Sequence, residues 1–127
     1  MLFRSLREGG VARRRAWEIF TELTEEGARE VVKHWAELAP RPTAIYCFNN
    51  TLALFVIEEL RRRGVQVPED LSILGGGGEE VSGLTCHQAD WLELGKTAIQ
   101  VLLRKPSRPE HYLGPPTIRV GNTTRPR

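Results

Sequence analysis

Apolar positions along the 127-residue chain follow two rhythms, short unbroken runs and helical stripes, which alternate from one end to the other. Leu2 to Arg7 reads as the stub of a helix, and Trp17 to Phe20 as a strand. Thr24 then has the right chemistry for an N-cap, because its hydroxyl can accept from a free backbone N–H of the first turn. Glu25 and Glu26 suit the positive end of the helix dipole that follows. Ala28, Val31, Val32, Trp35 and Ala39 recur at helical spacing, and Pro40 and Pro42 stop the pattern. Thr43 to Phe48 is short, apolar and bounded by Pro42 and Asn49, which predicts a buried central strand. A helix from Thr51 to Arg63 presents Ala53, Val56, Ile57 and Leu60 to a core, and Gly64 closes it.

Leu71 to Leu74 is the next buried strand, and it runs into four glycines, Gly75 to Gly78. Asp90 caps a helix to Arg104, whose apolar side carries Trp91, Leu94, Ala98, Val101 and Leu102. Thr117 to Thr123 reads as a last strand, and the chain has no internal repeat. This order predicts an α/β fold. Trp17–Phe20, Thr43–Phe48 and Leu71–Leu74 are expected as parallel neighbours joined by right-handed crossovers.

Composition narrows the class but does not choose within it. Hydrophobic residues at 40% and charged residues at 27% are ordinary for a globular protein, and the length suits one domain. No apolar run reaches the length of a membrane span, and Leu2 and Phe3 are too brief for a secretory signal. Arginines cluster at Arg13 to Arg15 and at Arg61 to Arg63, but the net charge is only +2 and acids lie nearby. The clusters are expected to be solvated surface, because no base-reading helix accompanies them. Cys47 and Cys86 lack metal-type spacing, and Cys47 lies inside an apolar run, so a reduced, cytoplasmic protein is expected.

Two chemical motifs are weak. Gly75 to Gly78 after a strand could let backbone N–H groups approach a phosphate. However, a dinucleotide fingerprint would need its third glycine where Glu80 stands, and no phosphate-loop lysine follows. A flexible loop is the plainer reading. Cys86 and His87 are adjacent, so on a strand they face opposite ways and do not form a metal pair. His87 with Ser82 offers residue types without a geometry.

The stretch RPTAIYCFNNTLALFVIEELRRRGVQVPEDLSILGG, from Arg41 to Gly76, carries a more specific signal. It resembles the effector-domain signature of the LacI/GalR family of transcription regulators: P-T-A, an apolar strand, N-D, a helix, R-G, V-P-D/E-D and a strand ending G-F-D-D. LTCHQADWLELGKTAIQVLL resembles the family's crossover segment, and PTIRVGNTTRP its closing strand. The resemblance implies the C-terminal subdomain of a periplasmic-binding-protein-like fold, with a sugar or nucleobase held between two subdomains. It also implies that the DNA-binding part and most of the other subdomain lie outside this chain, as a fragment or as a separately encoded piece.

Ligands of open α/β sheets bind beyond the carboxyl ends of the strands. On this resemblance the ligand-binding positions are Glu22, Asn49, Asn50 and Gly77. Asn49 matches the family's asparagine. Asn50 replaces its aspartate, keeping hydrogen bonding without charge; either asparagine could instead cap the following helix, and for Asn50 the two readings are equal. Glu22 stands where an aromatic is frequent, Gly77 where an acid is, and Ala89 where a glutamine is. Each hydrogen-bonding group lost from a buried sugar site costs about 1–3 kcal/mol, so a degenerate sugar site is expected.

The function expected is a non-catalytic, effector-sensing and dimerising module, with no cofactor and no metal. Its partners would be a sugar or nucleoside effector, a second copy, and DNA only through a domain outside this chain. The resemblance places the dimer contact on the helix from Thr51, with Leu52, Phe55 and Glu59 as interface residues. Two alternatives stay open: a pure self-association module that has lost its ligand, and a small α/β enzyme acting at the glycine run.

Overall fold

The N-terminal stub ends in a helical turn at Leu6–Glu8, and Val11 to Arg14 then lead into a short 3-10 turn, Arg15–Trp17. The computed structural model describes residues 6–77, 80–105, 107–108, 112 and 114–126. Helix α1 spans Glu25–Glu37, and the Thr24 hydroxyl accepts from the Gly27 N–H at 3.1 Å, as its cap position requires. Its buried side is Ala28, Val31, Val32 and Trp35, and the Trp35 indole donates to the Pro42 carbonyl at 2.9 Å. Strand β1 is Ala44–Tyr46, and helix α2 is Asn50–Arg62, with Asn49 as its cap. Gly64, at φ +76°, ends α2 by donating to Arg61 while Val65 donates to Leu60.

Strand β2, Ser72–Gly76, lies parallel to β1 in the register Ala44↔Ser72, Ile45↔Ile73, Tyr46↔Leu74. Strand β3, Cys86–Gln88, is parallel to β2, and β4, Thr117–Arg119, is antiparallel to β3, giving the order β1-β2-β3-β4. Helix α3, Trp91–Arg104, starts where Asp90 accepts from the Glu93 N–H at 2.9 Å. The core lies between the sheet and the α1–α2 pair, and Val56, Leu60, Leu71, Ile73 and Cys86 are fully enclosed in it.

Thr123 fastens the C-terminal segment to this core. Its hydroxyl donates to the Ile73 carbonyl at 2.8 Å and accepts from the Thr85 N–H at 3.0 Å. Gly121 donates to the Thr85 hydroxyl at 3.0 Å, and the Asn122 N–H donates to the Gly83 carbonyl at 2.8 Å.

Several expectations change. Trp17–Phe20 is not a strand: it leaves the 3-10 turn in extended form but has no ladder partner among the described residues, because a cavity separates it from β1. Thr43–Phe48 yields a three-residue edge strand rather than a buried central one, with Ala44 and Tyr46 exposed. The last strand stops at Arg119, since the residues after it turn inward to the Thr123 anchor.

The glycine run is not simply a loop. Gly75 and Gly76 belong to β2, and Gly78 lies outside the described residues. A side chain at Gly75 would meet Asn50 Oδ1 at 2.5 Å and Leu84 at 2.9 Å, so packing explains the glycine there. Helix α3 has the expected ends but buries no residue. Trp91, Leu92, Leu102 and Leu103 are all more than half exposed.

Candidate functional site at the strand ends

The parallel strands β1, β2 and β3 deliver Asn49, Asn50, Gly77 and Ala89 to one end of the sheet. Asn49 is half-buried, and its Oδ1 accepts from the Thr51 N–H at 2.7 Å, so its side chain is occupied as the cap of α2. Asn50 is the first residue of that helix and is buried, with its carbonyl oxygen against the open side of Gly75. The capping role therefore belongs to Asn49 and not to Asn50.

Gly77 has φ +61°, donates to the His87 carbonyl at 3.1 Å, and faces the Phe48 carbonyl. It closes the end of β2 through its backbone. Glu22 is exposed in the segment before α1, where a side chain added at Gly27 would meet its carbonyl. Thus Asn49, Asn50 and Gly77 come together, and Glu22 does not join them.

A pair that sequence did not single out lies on the adjacent sheet face. The Tyr46 hydroxyl stands 3.4 Å from Nδ1 of His87, with ring centres 5.7 Å apart. Both lean over Gly76, where any side chain would come within 2.7 Å of each. Burial, with Cys47 adding to it, pushes the Tyr46 phenol up, so it remains a hydroxyl donor at neutral pH. The missing side chain at Gly76 was visible in the sequence. The register that sets it beneath Tyr46 and His87 was not.

Cys47 is enclosed on the other face, and burial pushes its thiol up to about 12. It is an inert core group at neutral pH. The stability that this raised value contributes is complete below the ordinary thiol range and is lost as pH climbs towards about 12. No group of three or more His, Cys, Asp or Glu among the described residues is placed to hold a metal ion.

The dimer residues expected from sequence are placed differently. Leu52 is only 5% exposed and belongs to the core, and Phe55 is packed against it. Glu59 is 8% exposed, with its carboxylate 2.7 Å from Arg63 and 3.8 Å from Arg62. Leu52 and Glu59 are not available to a partner. Helix α1 packs along the side of α2 that a single stripe facing the sheet would have left bare.

The arginine clusters are largely neutralised. Arg13 pairs with Glu18 at 2.6 Å, Arg61 with Glu58 at 3.0 Å, and Arg62 reaches Glu58 and Glu25. Arg14 lies 4.7 Å from the Trp17 ring centre. This is the pattern of solvated surface.

A mostly parallel sheet with helices packed on one face makes this an α/β domain, an architecture in which ligands bind beyond the carboxyl ends of the strands. Residues 2–124 match the family described as periplasmic binding protein-like domain. The repressor PurR of Photobacterium profundum is 31% identical over 114 residues, covering 85% of this chain and 34% of that protein. PurR of Aliivibrio fischeri strain MJ11 is 37% identical over 81 residues, 59% of this chain and 24% of that protein.

Among solved structures, a LacI family transcriptional regulator from Bifidobacterium animalis superposes with a TM-score of 0.78 at 28% identity, covering 98% of this chain and 48% of that one. CcpA of Lactococcus lactis gives 0.73 at 18% identity, a likeness of fold. The chain belongs to the effector-binding domains of the LacI/GalR family, with their periplasmic-binding-protein-like fold. It spans about a third of the length of the repressors it matches and about half that of the solved regulators.

Proposed function

We propose that this chain is the effector-sensing part of a cytoplasmic LacI/GalR-type regulator, that it catalyses nothing, and that its sugar site is degenerate. The observation that carries the last point is the disposition of the strand-end side chains. Asn49 is bound to its own helix, Asn50 is buried, and Gly77 has no side chain. A sugar needs several converging polar groups for its paired hydroxyls, and these positions supply few. A nucleoside, whose flat base can lie on an aromatic surface, suits Tyr46 and His87 better. Calorimetric titration with common hexoses and pentoses should show no binding tighter than the millimolar range. A micromolar dissociation constant for any of them would overturn the degenerate-site reading.

DNA reaches such a regulator through a different part of the polypeptide. Among the described residues no helix is poised to read base edges, and Arg13, Arg61, Arg62 and Arg63 of the two clusters are engaged with acids. Fluorescence anisotropy with random-sequence duplexes should therefore show weak, salt-sensitive association without sequence preference. Selective enrichment of one sequence at physiological salt would contradict this.

Pairing of two copies is the remaining part of the proposal. With Leu52 and Glu59 enclosed, the contact falls on the exposed edge of α2 at Thr51, Leu54 and Arg61. Sedimentation equilibrium should find a dimer, and Leu54→Glu should shift it to monomer without lowering helix content. A wild-type monomer, or a variant that pairs as well as wild type, would place the contact elsewhere.

A further inference from the structure

At the end of the sheet opposite Asn49, Asn50 and Gly77, where the chain enters β1 and β2, lies a cavity of about 370 Å³. Thr43, just before β1, and Asp70, shortly before β2, stand in its wall. Trp35 from the last turn of α1 and Gly64 from just past α2 stand there too. The volume falls within the range of small-molecule sites, roughly 300–1,000 Å³.

Arg41 lines this cavity and is held in two ways. Its Nε donates to the Ala36 carbonyl at 3.0 Å, and its guanidinium lies 5.5 Å from the centre of the Trp35 ring. Its terminal nitrogens, Nη1 and Nη2, have no acceptor among the described residues, and it forms no ion pair with any of them. The N–H groups left over form a planar fork that matches a carboxylate. Asp70 faces the same space, with its Oδ2 accepting from the Gln66 N–H at 2.8 Å, and no ion pair joins it to Arg41. An ionised carboxylate has about four acceptor sites, so an ammonium group can share it with that bond. The carboxyl end of α2 also reaches the cavity at Gly64, and the negative end of a helix dipole favours a cation. The arginines at that end, Arg61 to Arg63, are taken up by Glu58 and Glu59 and are not in the wall.

We propose that this cavity binds a free amino acid with an apolar side chain, its carboxylate on Arg41 and its ammonium on Asp70. A ligand that is only anionic meets repulsion from Asp70, and one that is only cationic meets it from Arg41. A molecule carrying both charges is attracted by both. Trp35, Pro42 and Val65 give the wall an apolar part for the side chain. Both charged groups are fixed by bonds to the backbone before a ligand arrives, which spares the cost of ordering them.

The test titrates the chain with L-leucine and follows the indole N–H signals of Trp35 and Trp91 in nitrogen–proton correlation spectra. Leucine should shift the Trp35 signal saturably, with a millimolar dissociation constant, and leave Trp91, outside the cavity, unmoved. Isocaproate, which is leucine without its ammonium, and isoamylamine, which is leucine without its carboxylate, should each bind about tenfold more weakly. Arg41→Gln should weaken leucine about tenfold but not isoamylamine. Asp70→Asn keeps an acceptor for the Gln66 N–H and should weaken leucine about tenfold but not isocaproate. No saturable shift at Trp35, or isocaproate binding as well as leucine, would overturn the proposal. So would a leucine affinity that either substitution leaves unchanged.

Discussion

Gly121→Ala should lower the midpoint of thermal unfolding by roughly 10 °C, more than any single surface change in this chain. A methyl group there would press directly on the Gly83 carbonyl oxygen and come within 2.6 Å of two backbone carbons, those of Gly83 and Leu84. The three atoms nearest to it are all main chain, so relief cannot come from a side chain swinging aside. Relief requires the segment after β4 to move away. That movement strains the bonds from Gly121 to Thr85 and from Asn122 to Gly83, together with the Thr123 anchor next to them. Overpacking of this kind costs about 3 kcal/mol. Circular dichroism melts would check it, and a shift under about 2 °C would show that the segment yields freely. Gly95→Ala is the matched control. Open space surrounds Gly95 on α3, so alanine there should raise local helix stability by about 1 kcal/mol.

Leu60→Ala is the second large effect, expected to cost about 3–4 kcal/mol. Leu60 is completely enclosed in the core on α2, and its carbonyl also accepts the Val65 N–H that ends the helix. Truncation removes apolar contacts and leaves a void that neighbours on α1 and the sheet close only in part. Leu103 on α3 is 78% exposed, so Leu103→Ala should change stability by less than about 0.5 kcal/mol. Urea unfolding of the two variants would distinguish them. Equal losses would mean that α3 is as well covered as α2.

The elements that the sequence made plain are those punctuated by local chemistry. Thr24, Asn49, Gly64 and Asp90 each solve a problem of the nearest backbone groups, and each stands where its helix begins or ends. The parallel pairing of β1 and β2 followed from two short apolar runs on either side of a helix. What escaped depends on neighbours distant along the chain. Trp17–Phe20 has the composition of a strand, but a ladder needs a partner beside it, and a cavity stands there instead.

The site divided in the same way. Asn49, Asn50 and Gly77 could be placed together because they end adjacent strands. Their lack of free polar groups could not be foreseen, since that depends on the cap at Thr51 and the contact with Gly75. Glu59 shows the limit most clearly. An acid at that position on a helix reads as solvent-facing, yet α1 covers it and Arg63, one turn on, supplies the charge that lets it stay.

Because the helix pair α1–α2 covers one face of the sheet while Tyr46 and Phe48 on the other remain substantially open, the native state already shows water much of what unfolding would reveal. The area newly exposed on unfolding sets both the steepness of a denaturant transition and the heat-capacity change. This chain should therefore unfold over a broad range of urea concentration, with a flatter stability curve than a doubly covered α/β domain of the same length. Anything that seats itself on the bare face sharpens both, and cooperativity of unfolding becomes a direct report on whether that face is covered.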